Sequence, residues 1–176
     1  MHIHQMQLVY DAREDRLVWK LRTRAGEIYT VWLTRRMVLR LWGPFLRIVG
    51  QAGVPTLAPQ ALLTPAAQAM LADAARQRPL PSADFSAPFD PQAVREPLGP
   101  QPLLADVIDL VPQTAPRGLQ IKLREAGGRA LELQLTADLA TALLRLLEQA
   151  LEVSEWLRTP ATAAATPTPA PVGLLN

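Results

Sequence analysis

The chain has 176 residues, 49% of them hydrophobic and 19% charged, with a formal net charge of +2. That is enough apolar material for a core and suits one domain, or one domain with tails. Cysteine is absent, which excludes disulfides, thiolate nucleophiles and zinc–cysteine sites. No apolar run reaches the roughly 18 residues of a membrane span, and no basic segment leads into an apolar one at the start, so a cytoplasmic location is expected. The charge is uneven: residues 1–50 hold nine Lys/Arg against four Asp/Glu, whereas residues 101–176 hold six against eight. Basic character belongs to the first third.

In chain order, residues 3–10 read as a strand and "DARED" as a turn. Residues 16–24 alternate polar and apolar as a half-buried strand does. Ala25-Gly26 makes a hairpin, 27–33 a third strand, and Thr34 an N-cap. The apolar stripe Met37, Val38, Leu41, Trp42, Phe45, Val49 then marks a helix, with Gly43-Pro44 a candidate kink. Residues 51–103 carry ten prolines and form a connector. One short helix is expected within it near 65–77, with Thr64 as cap and Pro65 at its first position. The connector's Phe85 and Phe89 are expected to pin it to the domain, and the Pro/Ala/Thr tail 159–176 is expected to be disordered.

Shifting the chain by 102 residues lays "LVWKLRTRAGEIYTVWLT" (17–34) over "LQIKLREAGGRALELQLT" (119–136), with seven identities in 18 positions. The apolar pattern continues into the following helices, over about 45 residues in all. The expected fold is therefore α+β. Two β-β-β-α units, 1–50 and 104–158, pack with pseudo-two-fold symmetry, their antiparallel sheets backed by helices. The second helix should span roughly 137–158.

The second unit interprets the first. Its Leu131, Leu133 and Leu135 alternate with polar residues, so Tyr29, Val31 and Leu33 should face inward. Ile28, Thr30 and Trp32 should then face outward beside Arg16, Lys20, Arg22 and Arg24. Cations around an aromatic ring are the mixture that holds single-stranded nucleic acid, phosphate on cation and base on ring. Arg35 and Arg36 follow the cap, where the helix dipole disfavours cations; the second unit has Ala137-Asp138 there. Arginines beside free N–H groups make an anion site. The candidate nucleic-acid or anion-binding residues are thus Lys20, Arg22, Arg24, Trp32, Arg35 and Arg36. The alternative is that the arginines pair with acids such as Glu14 or Asp15, and that Trp32 lies under the connector or in a dimer interface.

Catalytic motifs are absent. Serine occurs only at 82, 86 and 154, and no G-x-S-x-G, P-loop or G-x-G-x-x-G is present. His2 and His4 share a strand face but lack a third metal ligand. The acid pairs Glu14-Asp15 and Asp106/Asp109 lack a general-acid setting. No cofactor, no metal and no enzyme activity are expected.

The stretch "VWLTRRMVLRLW", with "ADFSAPF" and the closing "EW" at 155–156, resembles a family of small uncharacterised bacterial proteins. The resemblance runs to about residue 158 and implies no function. In element order alone, the duplicated sheet-plus-helix units are similar to the Whirly single-stranded-DNA-binding proteins, which use four strands per unit. They are also similar to the dimerising head domain of eukaryotic end-joining scaffold proteins, whose long coiled coil Pro160 would interrupt. The expected function is a non-enzymatic binding module for single-stranded nucleic acid on the basic face of the first unit. The alternative is a protein-interaction or self-assembly module that pairs as a homodimer or with another protein, without a membrane.

Overall fold

The computed structural model describes residues 2–57, 64–77, 80 and 88–157. The expectations for the 159–176 tail and for Phe85 lie outside these residues. Three strands open the chain: β1 (Ile3–Asp11), β2 (Arg16–Thr23) and β3 (Ile28–Thr34). Helices α1 (Arg35–Leu57) and α2 (Pro65–Gln77) follow, then β4 (Leu103–Leu104), β5 (Val107–Thr114), β6 (Arg117–Arg124), β7 (Ala130–Thr136) and α3 (Ala137–Ser154). The architecture is mixed α+β, with one sheet ordered β1-β2-β3-β4 and a second ordered β5-β6-β7.

The two meanders carry the same hydrogen-bond register at a spacing of 102 residues. Leu17 faces Leu33 as Leu119 faces Leu135, and Arg22 faces Ile28 as Arg124 faces Ala130. On the other side, Leu8 faces Trp19 as Leu110 faces Ile121. Turn chemistry matches too. Gly26 and Gly128 both take positive φ, 76° and 87°, and each N–H bonds back to the residue three earlier, Thr23 or Glu125. Thr34 and Thr136 each accept the N–H three residues on, from Met37 and Leu139, both at 3.3 Å. Each hydroxyl thus satisfies one of the orphan donors of a helix start.

The sheets differ at one edge. Leu103–Leu104 joins β3 in parallel, opposite Val31 and Trp32. The first sheet therefore gains a fourth strand, taken from the connector, where three antiparallel strands were expected. Leu103 is fully buried, which explains the pairing: a short Pro-flanked segment holds its place by filling the core beside β3.

Helix α1 runs unbroken through Gly43-Pro44. Both residues are exposed, so the proline ring sits on the outer side of the helix and does not intrude on the core. The helix also outlasts its apolar stripe, reaching Leu57. Helix α3 ends earlier than expected, at Ser154, with Glu155 in the left-handed conformation (φ 56°) and its N–H returned to Glu152 O. Helix α2 packs on α1, as two helices joined by a short connection do.

One buried core joins both sheets with α1 and α3. Leu17, Trp19 and Leu21 from β2, Leu119, Ile121 and Leu123 from β6, Phe45 of α1 and Leu143, Leu144 and Leu147 of α3 belong to one buried cluster. Helix α1 contacts β3 and reaches across to β5, while α3 contacts β6 and β7 and reaches across to β1. Among the described residues, no helix is long and apolar enough to cross a membrane.

Candidate functional site

The pairing of Val18 with Trp32, Lys20 with Thr30 and Arg22 with Ile28 sets these residues on one face of the first sheet, as alternation requires. The connector then lies over part of that face. Gln5 on β1 donates to Pro88 O (3.2 Å) and accepts from Asp90 N (3.2 Å), and Asp90 pairs with Arg22. Farther on, Val94 N donates to Gly26 O (2.9 Å), Ile28 N to Arg95 O (3.0 Å), and Arg95 pairs with Glu27. Ile28, expected to face outward, is only 6% exposed, with the connector's backbone bonded beside it. Phe89 of the same strap is half-buried.

The opposite end of the face is neutralised by its own hairpin. Arg16 stacks on Trp32, with the guanidinium carbon 3.6 Å from the ring centroid, and sits within 4 Å of Asp11 and Glu14. The exposed side of Trp32 is thus occupied by a cation, a contact worth about 0.5–1 kcal/mol at a surface. Its carbonyl accepts Ala105 N at 3.1 Å. Arg35 approaches Asp15 at 4.0 Å, as the alternative reading of the helix start anticipated.

The six candidate residues therefore do not form one patch. Lys20, Arg22 and Trp32 share the sheet face. Arg24 lies beyond the end of β2 and is exposed. Arg35 and Arg36 stand at the opposite end, because Thr34 pairs with Arg16 at the start of β2. The eight residues of β2 separate the two ends by roughly 26 Å. Arg22, Arg35 and Trp32 have partners within the chain. Lys20, Arg24 and Arg36 have no ion pair among the described residues.

Two constellations escaped the sequence reading. Asp15, itself at positive φ (45°), accepts from Tyr10 Oη (2.9 Å) and from Trp156 Nε1 (2.8 Å). The Tyr10 and Trp156 rings meet edge-on at 5.5 Å. The Trp156 and Tyr10 donors hold the Asp15 carboxyl below the usual carboxylate value, and the same bond raises Tyr10. The second is a clamp at the β6–β7 turn. Arg129 forks onto Glu125 (2.6 and 2.8 Å) and donates to the carbonyls of Leu98, Gln101 and Pro102, while Glu125 accepts Leu104 N (3.1 Å). The guanidinium keeps Glu125 below its ordinary value. Both constellations join residues far apart in sequence. Only the "EW" ending and the Glu-x-x-x-Arg spacing at 125–129 gave any signal.

Between α1 and β5 lies an open groove of about 800 Å³. Its floor includes Leu41 and Ile48 of α1 and Ile108 and Leu110 of β5, all half-buried. Arg40 and Lys122 stand on its rim. The rim acids are engaged, Asp106 with Ala126 N (2.6 Å) and Asp109 with Arg124 (2.8 Å). Arg36, Arg40 and Arg47 fall within one narrow sector of α1, at spacings of four and seven residues. All three are exposed and have no ion pair among the described residues.

His4 sits at an irregularity in the β1–β2 register between Ile3 and Gln5, and His2 precedes the strand. Among the described residues, no group of three His, Asp or Glu side chains is placed to hold a metal ion. No protein-family profile, no curated protein and no solved structure matches this chain.

Proposed function

We propose that the chain is a non-enzymatic self-assembly module: a duplicated pair of β-β-β-α units related by a pseudo-two-fold axis, which dimerises through its helical layer. The shared register at a spacing of 102 residues and the reciprocal reach of α1 to β5 and of α3 to β1 support the duplication. The observation that carries the assembly is charge complementarity between the exposed residues of two contacting helices, α1 and α3. Helix α1 presents Arg36, Arg40 and Arg47 beside the groove. The outer half of α3 presents Glu148, Glu152 and Val153, and Leu157 follows just beyond the helix; Val153 and Leu157 are 64% and 51% exposed. In a two-fold dimer the contact between the two patches is made twice, once by each protomer's α1. Apolar side chains from one α3 then have the partner's Leu41–Ile48 floor to cover, and exposed apolar groups of this kind mark interfaces.

The test is sedimentation velocity across protein concentration. The wild type should dimerise, and Arg40→Glu plus Arg47→Glu should raise the dissociation constant at least about tenfold. Glu148→Arg plus Glu152→Arg should do the same, and mixing the two variants should restore a dimer. A wild type that stays monomeric at high concentration overturns the reading.

Single-stranded nucleic acid is the second reading. It is favoured by Lys20, Arg24 and Arg36, cations without acid partners among the described residues, and by the planar Arg16–Trp32 stack, a surface on which a base can lie. Retardation of a labelled oligonucleotide that weakens with salt, at a log–log slope near −0.7 per phosphate contacted, would support it. No retardation at micromolar protein and low salt would end it.

A further inference from the structure

One wall of the groove is α1, with Met37, Arg40, Leu41, Pro44 and Ile48; the other is β5, whose end residues 106–111 line it without a gap. Side chains on a strand alternate between faces, so an unbroken run of lining residues means that the strand's backbone edge faces the groove. The hydrogen-bond register shows which groups that edge carries. Glu125 N donates to Arg129 O (3.0 Å) beside the Arg124–Ala130 pair, so the backbone groups of Arg124 turn from β7 toward Val107 of β5. By alternation those of Ile108 and Leu110 turn away from β6 and into the groove. Pro112, with no N–H to give, falls in the same set. Among the described residues, neither Ile108 nor Leu110 has a backbone partner on that side. An edge of this kind recruits an extended segment unless something blunts it.

We infer that the groove takes an extended, acidic segment of a partner protein, which adds to the β5 edge as a further strand. The open stretch 107–111 is about 16 Å long, room for a strand of about five residues. Its main chain bonds Ile108 and Leu110, while alternate side chains meet the Leu41, Ile48 floor and the rim. Charge selects the occupant. Arg40 stands on the rim with no ion pair among the described residues, whereas the rim acids Asp106 and Asp109 are already held by Ala126 N and Arg124. An incoming carboxylate therefore meets an unpaired guanidinium, with Arg36 and Arg47 extending the same cationic sector. A second copy's β5 is the poorer occupant, because a two-fold axis there sets Arg40 and its neighbours against their own like charges. The inference does not rest on the α1–α3 dimer. The two exclude each other, since a partner's α3 covers the same floor.

The test uses the Glu148→Arg plus Glu152→Arg chain, whose groove is intact and whose α3 lacks the acids of the proposed dimer. The probe is a fluorescein-labelled peptide of alternating glutamate and valine. Its anisotropy should rise to saturation, and the Ile108 and Leu110 amides should exchange at least about tenfold more slowly with peptide bound. Methylating the peptide's backbone nitrogens, or replacing its glutamates by lysine, should weaken binding at least about tenfold. Arg40→Ala should weaken it at least about fivefold. Absence of saturable binding overturns the inference. So does binding that backbone methylation or the lysine exchange leaves unchanged, or that protects neither amide. Peptide binding beside a wild type that stays monomeric supports this inference and ends only the dimer; a wild-type dimer without peptide binding ends only this inference.

Discussion

Trp156 Nε1 donates to Asp15 Oδ1 at 2.8 Å across 141 residues of sequence. This bond, with Tyr10 Oη donating to the same carboxylate oxygen, fastens the segment just after α3 to the β1–β2 turn. Trp156→Phe removes the donor and keeps most of the ring, so it should cost about 1–2 kcal/mol by denaturant unfolding. Trp156→Ala, which empties a nearly buried site, should cost about 3–5 kcal/mol.

Asp15 should also give the fold a pH signature. Its carboxyl titrates below the ordinary value in the folded chain, so the unfolded state takes up the proton first. The carboxylate's contribution is complete above the unfolded value of about 4 and is lost as pH falls through the lower folded value. Asp15→Asn should therefore be less stable than wild type at pH 7, with the gap narrowing on acidification. Urea unfolding at pH 7 and pH 3 measures it; a gap that widens at low pH reverses the sign.

Arg129 holds the segment that supplies β4. Lysine keeps the charge but not the planar fork, and cannot serve Glu125 and three carbonyls together. Arg129→Lys should lower the urea midpoint of unfolding, because the fork onto Glu125 and the carbonyl bonds are not all replaced. Proteolysis near residues 98–102 should quicken more than cutting elsewhere.

Gly118 pairs with Thr136 at the start of the β6–β7 ladder. A Cβ there would press into the carbonyl oxygen of Leu135, a backbone atom that moves only with its strand. Gly118→Ala should destabilise by about 1–3 kcal/mol in thermal or urea unfolding. Gly43→Ala, on the exposed side of α1 with nothing near its Cβ position, should be neutral or slightly stabilising.

The meanders, their glycine hairpins, the threonine caps and the α2 start are all legible in the sequence. Each rests on contacts within a few residues: period-two burial over 16–22 and 130–135, φ > 0 at Gly26 and Gly128, hydroxyl-to-N–H bonds from Thr34 and Thr136. The direction in which Lys20, Arg22 and Trp32 point followed from the same alternation. What those side chains touch did not follow. Asp90 reaches Arg22 across 68 residues and Trp156 reaches Asp15 across 141, and a proline-rich connector has no periodicity to show where it lies. Chain-local geometry is written in neighbouring residues. Whether a cationic face is open, strapped or self-neutralised depends on loops closed over long separations, and only the assembled tertiary structure decides that.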